Sequence, residues 1–181
     1  AFRFGVRSSG DLGAQTASTM RGTAATDLEN TPFLGAEYGP GLPVMYRRRP
    51  VVQPHDIGAM LPVQLGSGAN LFGYYMYHGG RNPAGHTDLE ENDLLGGYNG
   101  VPIIGYDFQA PLGQYGQERP VMNAIRPYHI FLESFGDRMA PMTTHAPAVE
   151  AKNQADMTTA RFSARSLGDR GFVFLNNYVR Q

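Results

Sequence analysis

GYYMYHGGRNPAG, residues 73–85, is the stretch on which the reading of this chain turns. An apolar run, ANLFGYYMY (69–77), leads into it and alternates like a strand. Three tyrosines, a histidine, a Gly-Gly pair, an arginine and an asparagine then fall between Tyr74 and Asn82. On an extended strand Tyr75 and Tyr77 share one face, and Tyr74, Met76 and His78 the other. Gly79 and Gly80 let the chain turn sharply or let a ligand approach the backbone. Phenolic hydroxyls at a strand end steer the oxygens of a polyhydroxyl ligand or support a carboxylate. Aromatic packing around a satisfied histidine explains the same residues, and the stretch alone does not decide.

Working outward, the neighbouring segments alternate between strand and helix. FRFGV (2–6) reads as a strand and 7–31 as a long polar loop. TPFLGAE (31–37) is a short apolar run that ends in a carboxylate. Pro54 to Leu65 reads as a helix, with Ile57, Met60, Leu61 and Leu65 on one face, Asp56 in the first turn and Gly66 at the end; Pro62 implies a kink or an early stop. Residues 79–100 form a second long loop, rich in acidic residues, and VPII (101–104) is extended. Pro120 to Phe135 is the clearest helix, with Val121, Ile125, Tyr128, Leu132 and Phe135 on its apolar face, Gly136 as its stop and Pro127 as a kink. Residues 139–156 read as a linker. ARFSARS and GFVFLNNYV read as strands joined by a turn around LGDRG.

Strands alternating with helices predict an α/β fold with a parallel sheet, and apolar strands ending in polar, aromatic residues suit the catalytic rim of a (β/α)8 TIM barrel. A whole barrel takes about 250 residues, and this chain has 181. The expectation is therefore the C-terminal portion of a barrel (1–138) followed by a linker and the first strands of a β-rich, sandwich-like domain (139–181).

Composition narrows the chemistry. Net charge is −1 with 17% charged residues, which makes no electrostatic case for nucleic acid or an anionic membrane surface. No apolar run is long enough to span a bilayer. Cysteine is absent, which removes disulfides, thiolate metal sites and a cysteine nucleophile and leaves the compartment open, with a slight lean to extracellular or periplasmic. GSGANL (66–71) lacks the third glycine of a dinucleotide fingerprint, and there is no phosphate loop and no Gly-x-Ser-x-Gly elbow. His78, His86, Asp88, Glu90 and Glu91 match no metal-site spacing, and RRR (47–49) stands isolated.

Three groups remain. Glu37 ends its apolar run, where a barrel strand presents a nucleophile or base; a salt-bridged or capping carboxylate is the plain alternative. The tyrosines of 74–77 are the second. Tyr106 and Asp107 in GYDFQAPLGQYG (105–116) are the third, with Asp107 read as a cap on backbone N–H groups.

In this order, GAEYGPG (35–41), YYMYHGGRN (74–82) and GYDFQAPLGQYG (105–116) resemble family 35 of the glycoside hydrolases, the retaining β-galactosidases, and the bacterial members most closely. The resemblance covers most of 33–181; residues 1–32 match weakly. It implies that Glu37 is the catalytic nucleophile and that Tyr75 and Tyr106 contact galactose or the nucleophile, with Tyr77 and Asn82 lining the same subsite. Phe108 stands where a third tyrosine is common, and Arg81 where threonine is common. The family's general acid/base is a glutamate after an asparagine. No Asn-Glu pair occurs in the chain, so the resemblance places that residue upstream of Ala1. The implied function is hydrolysis of terminal β-galactosyl units by double displacement, without a cofactor, and the chain alone is expected to be inactive or nearly so. A non-catalytic carbohydrate-binding or remnant barrel protein is the alternative.

Overall fold

Pro62 sets the first feature of the fold. A continuous helix from Pro54 would leave the Gly58 carbonyl without its usual donor, because proline has no N–H. The computed structural model, which describes residue 4 and residues 32–43, 50–82, 105–153 and 155–178, shows two helices instead. Helix α1 is Pro54–Gly58 and α2 is Met60–Gly66, divided at Ala59. The break puts Pro62 in the first turn of α2, where backbone N–H groups have no intrahelical acceptor in any case. Gln53 opens α1. Its N–H donates to the Asp56 carboxylate at 3.1 Å and its carbonyl accepts the Asp56 N–H at 3.0 Å. The stop of α2 is Gly68 rather than Gly66: it has φ +99° and donates to the Leu65 carbonyl at 3.1 Å, a conformation only glycine adopts freely.

Seven strands complete the described elements: β1 Phe33–Tyr38, β2 Ala69–Tyr74, β3 Gly80–Arg81, β4 Gly105–Tyr106, β5 Thr143–His145, β6 Phe162–Leu167 and β7 Arg170–Leu175. They form sheets of two, two and three strands, in the orders β1-β2, β3-β4 and β5-β6-β7. Phe33 meets Asn70 at one end of the first pair and Tyr38 meets Tyr75 at the other, so β1 and β2 run in the same direction. The other two sheets are antiparallel.

This corrects the expected α/β class and barrel portion. A (β/α)8 barrel needs successive parallel strands hydrogen-bonded edge to edge around a closed sheet. Among the described strands only β1 and β2 pair in parallel, the His78–Leu112 contact being an isolated parallel bridge, and β2 ends at Tyr74. The predicted strand through Tyr77 is shorter because residues 75–77 turn away. The expected strands at 2–6 and 101–104 and the two long loops lie wholly or largely outside the described residues.

Helix α3 spans Pro120–Met139 and runs past Gly136. The reason is Met139, which is buried and belongs to a core cluster with Phe4, Val63, Leu65 and Phe174; Tyr128, Phe131, Leu132 and Phe172 pack against it. The expected linker 139–156 contains β5. The hairpin β6–β7 closes where the LGDRG signal put it, with Leu167 opposite Arg170. Of its two loop residues only Gly168 has positive φ, at 61°, the pattern of a type II′ turn.

Contacts divide the chain into two compact units. One takes in the described residues of 1–36, 59–72 and 128–181, the other those of 37–58 and 73–127. The first is organised around a buried arginine. Strand alternation turns Ser163 and Arg165 of β6 inward. Ser163 Oγ donates to the Gly66 carbonyl and, at 3.2 Å, to that of His145. Arg165 donates to the carbonyls of Leu65 (3.3 Å), Ala69 (3.0 Å) and Ala140 (3.4 Å), and it pairs with no carboxylate among the described residues. Leu65 lies in the last turn of α2 and Ala140 just past α3, where carbonyls without an intrahelical i+4 donor carry partial negative charge. Arg165→Met keeps the bulk and removes the donors shared by these three carbonyls, leaving, among the described residues, Leu65 only the Gly68 N–H and Ala140 only the Asn70 amide. It is expected to lower unfolding free energy by about 2–4 kcal/mol, read as a fall in the urea midpoint at unchanged slope.

The β5–β6 connection is tied by Asp156. Its carboxylate accepts the N–H groups of Lys152, Thr158 and Thr159 and the hydroxyls of Thr158 and Thr159. Those bonds, the Thr158 N–H foremost, hold its pKa far below the carboxylate range. A depressed native pKa adds stability that is complete above the unfolded pKa of about 4 and fades as pH falls toward the native value. Asp156→Asn is expected to lower Tm at pH 7 and to flatten its dependence on pH below about 4, measured by thermal melts across the acid range.

Candidate functional site

The three sequence segments meet in the second unit, and backbone contacts do most of the joining. At the end of β1 the Tyr38 carbonyl accepts the Tyr75 N–H at 3.0 Å. The chain then passes through Gly39-Pro40-Gly41. A Cβ on Gly41 would lie 2.2 Å from the Phe108 carbonyl oxygen and 2.7 Å from that of Gln109, so this turn sits directly on the 108–109 backbone. Gly79 N–H donates to the Leu112 carbonyl at 2.7 Å, and Leu112 N–H to the Tyr77 carbonyl at 3.0 Å. Strand β3 pairs Gly80 with Tyr106 and Arg81 with Gly105.

The side chains at the centre are Tyr75, Tyr106 and Phe108. The two phenolic oxygens are 2.6 Å apart, and the rings cross edge to face at 6.4 Å. The Phe108 ring packs 5.5 Å from Tyr75 and 4.5 Å from Tyr106. Each phenol has one donor and two acceptor positions. One hydroxyl donates to the other, so the pair presents phenolic oxygens of the kind that a ligand hydroxyl can meet. Both tyrosines are half-buried, and Phe108 behind them is buried.

The residues 107–110 hold that arrangement. Ala110 N–H donates to the Asp107 carbonyl at 3.0 Å, and both central residues have positive φ, Phe108 at 56° and Gln109 at 52°. This is the pattern of a type I′ turn, which glycine and asparagine dominate. A non-glycine residue held there costs about 1–3 kcal/mol, and here two stand in succession. Asp107 anchors the turn. Its Oδ1 accepts the Gln114 N–H at 2.9 Å, as the capping role expected for it requires, and its Oδ2 pairs with Arg119 at 2.7 Å. Arg119 also donates to the Ala110 carbonyl at 2.9 Å.

The other expected site residues go elsewhere. Glu37 is exposed on β1, one residue before Tyr38, and its carboxylate has no partner among the described residues. Tyr77 does not join Tyr75, because the strand ends before it. Its hydroxyl donates to Met122 Sδ at 3.4 Å and its ring lies 5.7 Å from that of Tyr74. Burial, and then the Tyr77 phenol beside it, push the Tyr74 pKa well above its ordinary value. Asn82 is buried just after β3, while Arg81 is exposed. His78 Nδ1 lies 2.6 Å from the Gly79 carbonyl oxygen. Sequence reasoning missed Gln109 and Arg119, whose contacts span 59 to 67 residues and 9 to 12 residues of chain; the second pairing has a signal in the Asp107–Arg119 spacing, the first has none.

Among the described residues no group of three or more metal-ligating side chains occurs and no helix is long and apolar enough to cross a membrane. No family model matches the chain.

The Gly-Gly pair divides into two roles. A Cβ at residue 79 would meet Gln114 N at 2.7 Å, Asp107 Oδ1 at 2.8 Å and Asp107 Cα at 3.1 Å, whereas at residue 80 nothing lies closer than 3.6 Å. Gly79→Ala is expected to destabilise by about 1–3 kcal/mol, and Gly80→Ala to stay within about 0.5 kcal/mol. Paired urea titrations of the two variants measure the contrast.

Proposed function

We propose that this chain carries the nucleophile side of a retaining β-galactosidase site of glycoside hydrolase family 35. The observation that carries the reading is the meeting of Glu37–Gly41, Tyr74–Asn82 and Gly105–Gly116 around the 2.6 Å Tyr75–Tyr106 hydroxyl contact. Segments 35–41, 74–82 and 105–116 are the ones whose sequence resembles that family, and they are distant in the chain. An aromatic, hydroxyl-bearing cluster next to a strand whose penultimate residue is a carboxylate suits a neutral sugar.

In this reading Glu37 attacks the anomeric carbon of a terminal β-galactosyl unit. A glycosyl ester forms at its carboxylate as the bond to the leaving oxygen breaks. A second carboxyl group protonates that oxygen and then takes a proton from the water that cleaves the ester; retention needs the two groups about 5–5.5 Å apart. The second group belongs to the Asn-Glu pair that this sequence does not contain. The Tyr75–Tyr106 pair orients sugar hydroxyls.

One observation favours a second reading, a carbohydrate-binding protein without turnover. Glu37 is held by no described neighbour, whereas a working nucleophile is fixed by its surroundings. A mechanism-based reagent separates the two. 2-Deoxy-2-fluoro-β-galactosyl fluoride carries a leaving group that needs little acid assistance, so it tests the nucleophile alone. The expected result is stoichiometric covalent labelling, mapped by peptide mass spectrometry to Glu37 and lost in Glu37→Gln. Binding of methyl β-galactoside without labelling would select the binding reading. Neither labelling nor binding would remove both.

A further inference from the structure

Gln109 has a position that the proposed chemistry does not use. Its side-chain nitrogen lies 2.8 Å from the Leu42 carbonyl oxygen and 2.8 Å from that of Pro50. Two carbonyl acceptors demand the NH2 end of the amide, with one proton to each. A single side chain therefore fastens both ends of the Leu42–Pro50 stretch to the 108–109 turn. The same turn bears on Gly41, which has no room for a Cβ against the Phe108 and Gln109 carbonyls. Gln109 is also one of the two non-glycine residues at positive φ. Glycine would sit there without strain but would supply no donor. Strain of this kind persists where surrounding contacts over-determine the backbone, and it clusters at functional sites.

The neighbour of Gln109 in the turn is Phe108, whose ring packs on both Tyr75 and Tyr106. We propose that Gln109 is a positioning residue: its amide clamps the strained turn, and through Phe108 it fixes the geometry of the Tyr75–Tyr106 hydroxyl pair that receives the sugar. The sugar rests on the functional reading above; the clamp on the hydroxyl pair stands without it. Gln109 sets how the two phenols are presented.

The test compares wild type, Gln109→Gly, Gln109→Glu, Tyr75→Phe and the double variant Gln109→Gly with Tyr75→Phe, all in the 181-residue chain. Gln109→Gly removes the strain and the clamp together, so Tm should hold or rise. Its near-ultraviolet circular dichroism should lose the same tyrosine bands as Tyr75→Phe, and the double variant should lose no more. Gln109→Glu keeps the shape and sets a carboxylate against two carbonyls, so it should lose those bands and fall in Tm. Affinity for methyl β-galactoside, by calorimetry, should drop at least tenfold in Gln109→Gly and show no further drop from Gln109→Gly once Tyr75 is Phe, because residues acting through one contact are not additive. Unchanged tyrosine bands in Gln109→Gly, or additive losses, would overturn the clamp. If wild type binds no galactoside while the spectral result holds, the sugar reading fails and the clamp stands.

Discussion

The first unit depends on one buried cation. Arg165 lies in the interior and pairs with no carboxylate among the described residues; its partners are main-chain carbonyls from three places: the last turn of α2, the start of β2 and the residue past α3. Burying a guanidinium is costly unless its protons find acceptors. Helix C-termini supply carbonyls with spare acceptor capacity, and they lie at the negative end of the helix dipole. Each side therefore offsets part of the other's penalty; Nη1 and Nη2 find acceptors, while the buried Nε has no partner among the described residues. Ser163, two residues earlier on the same face of β6, does the same for Gly66. The core cluster of Phe4, Val63, Leu65, Met139 and Phe174 supplies the apolar burial, but apolar contact has no direction. The arginine fixes where the two helix ends and the β2 strand stand relative to β6.

The second unit is held differently. Its site is built on backbone contacts between three loops: Tyr38 with Tyr75, Gly79 with Leu112, and Gly41 against Phe108 and Gln109. Close approach of main chains is what Gly41 and Gly79 provide, and a side chain on either would separate the loops. Around this contact the polar anchors Asp107, Arg119 and Gln109 hold a turn that its own residues disfavour. The strained turn and the paired tyrosine hydroxyls coincide, which is the arrangement expected where geometry matters more than stability.

Much of this was legible in the chain. Helical spacing marked α3 and the α1–α2 region, and the turn residues of LGDRG marked the β6–β7 hairpin, because those elements rest on local periodicity and local turn chemistry. Asp107 read correctly as a cap for the same reason. The barrel did not survive. A run of apolar residues before a helix says that a strand exists, but it does not say which strands lie beside it, and the described sheets pair β3–β4 and β5–β6–β7 in antiparallel fashion. The shared face of Tyr75 and Tyr77 failed because it assumed an extended backbone where the chain turns.

The sequence by itself determined the elements and the residue types available to the proposed site: which segments coil, where glycine is needed, and which segments bring Tyr75, Tyr106 and Glu37 as candidates. Tertiary structure alone decided their partners. Arg165 sits in an alternating strand where hydrophobic patterning would turn Phe162 inward and the arginine to water, yet Phe162 is 40% exposed and Arg165 1%. Gln109 reaches carbonyls 59 and 67 residues away. Local pattern encodes the preference of a residue for helix, strand or turn. The acceptor that a buried donor finds depends on which distant backbone arrives beside it, and that is fixed only when the chain has folded.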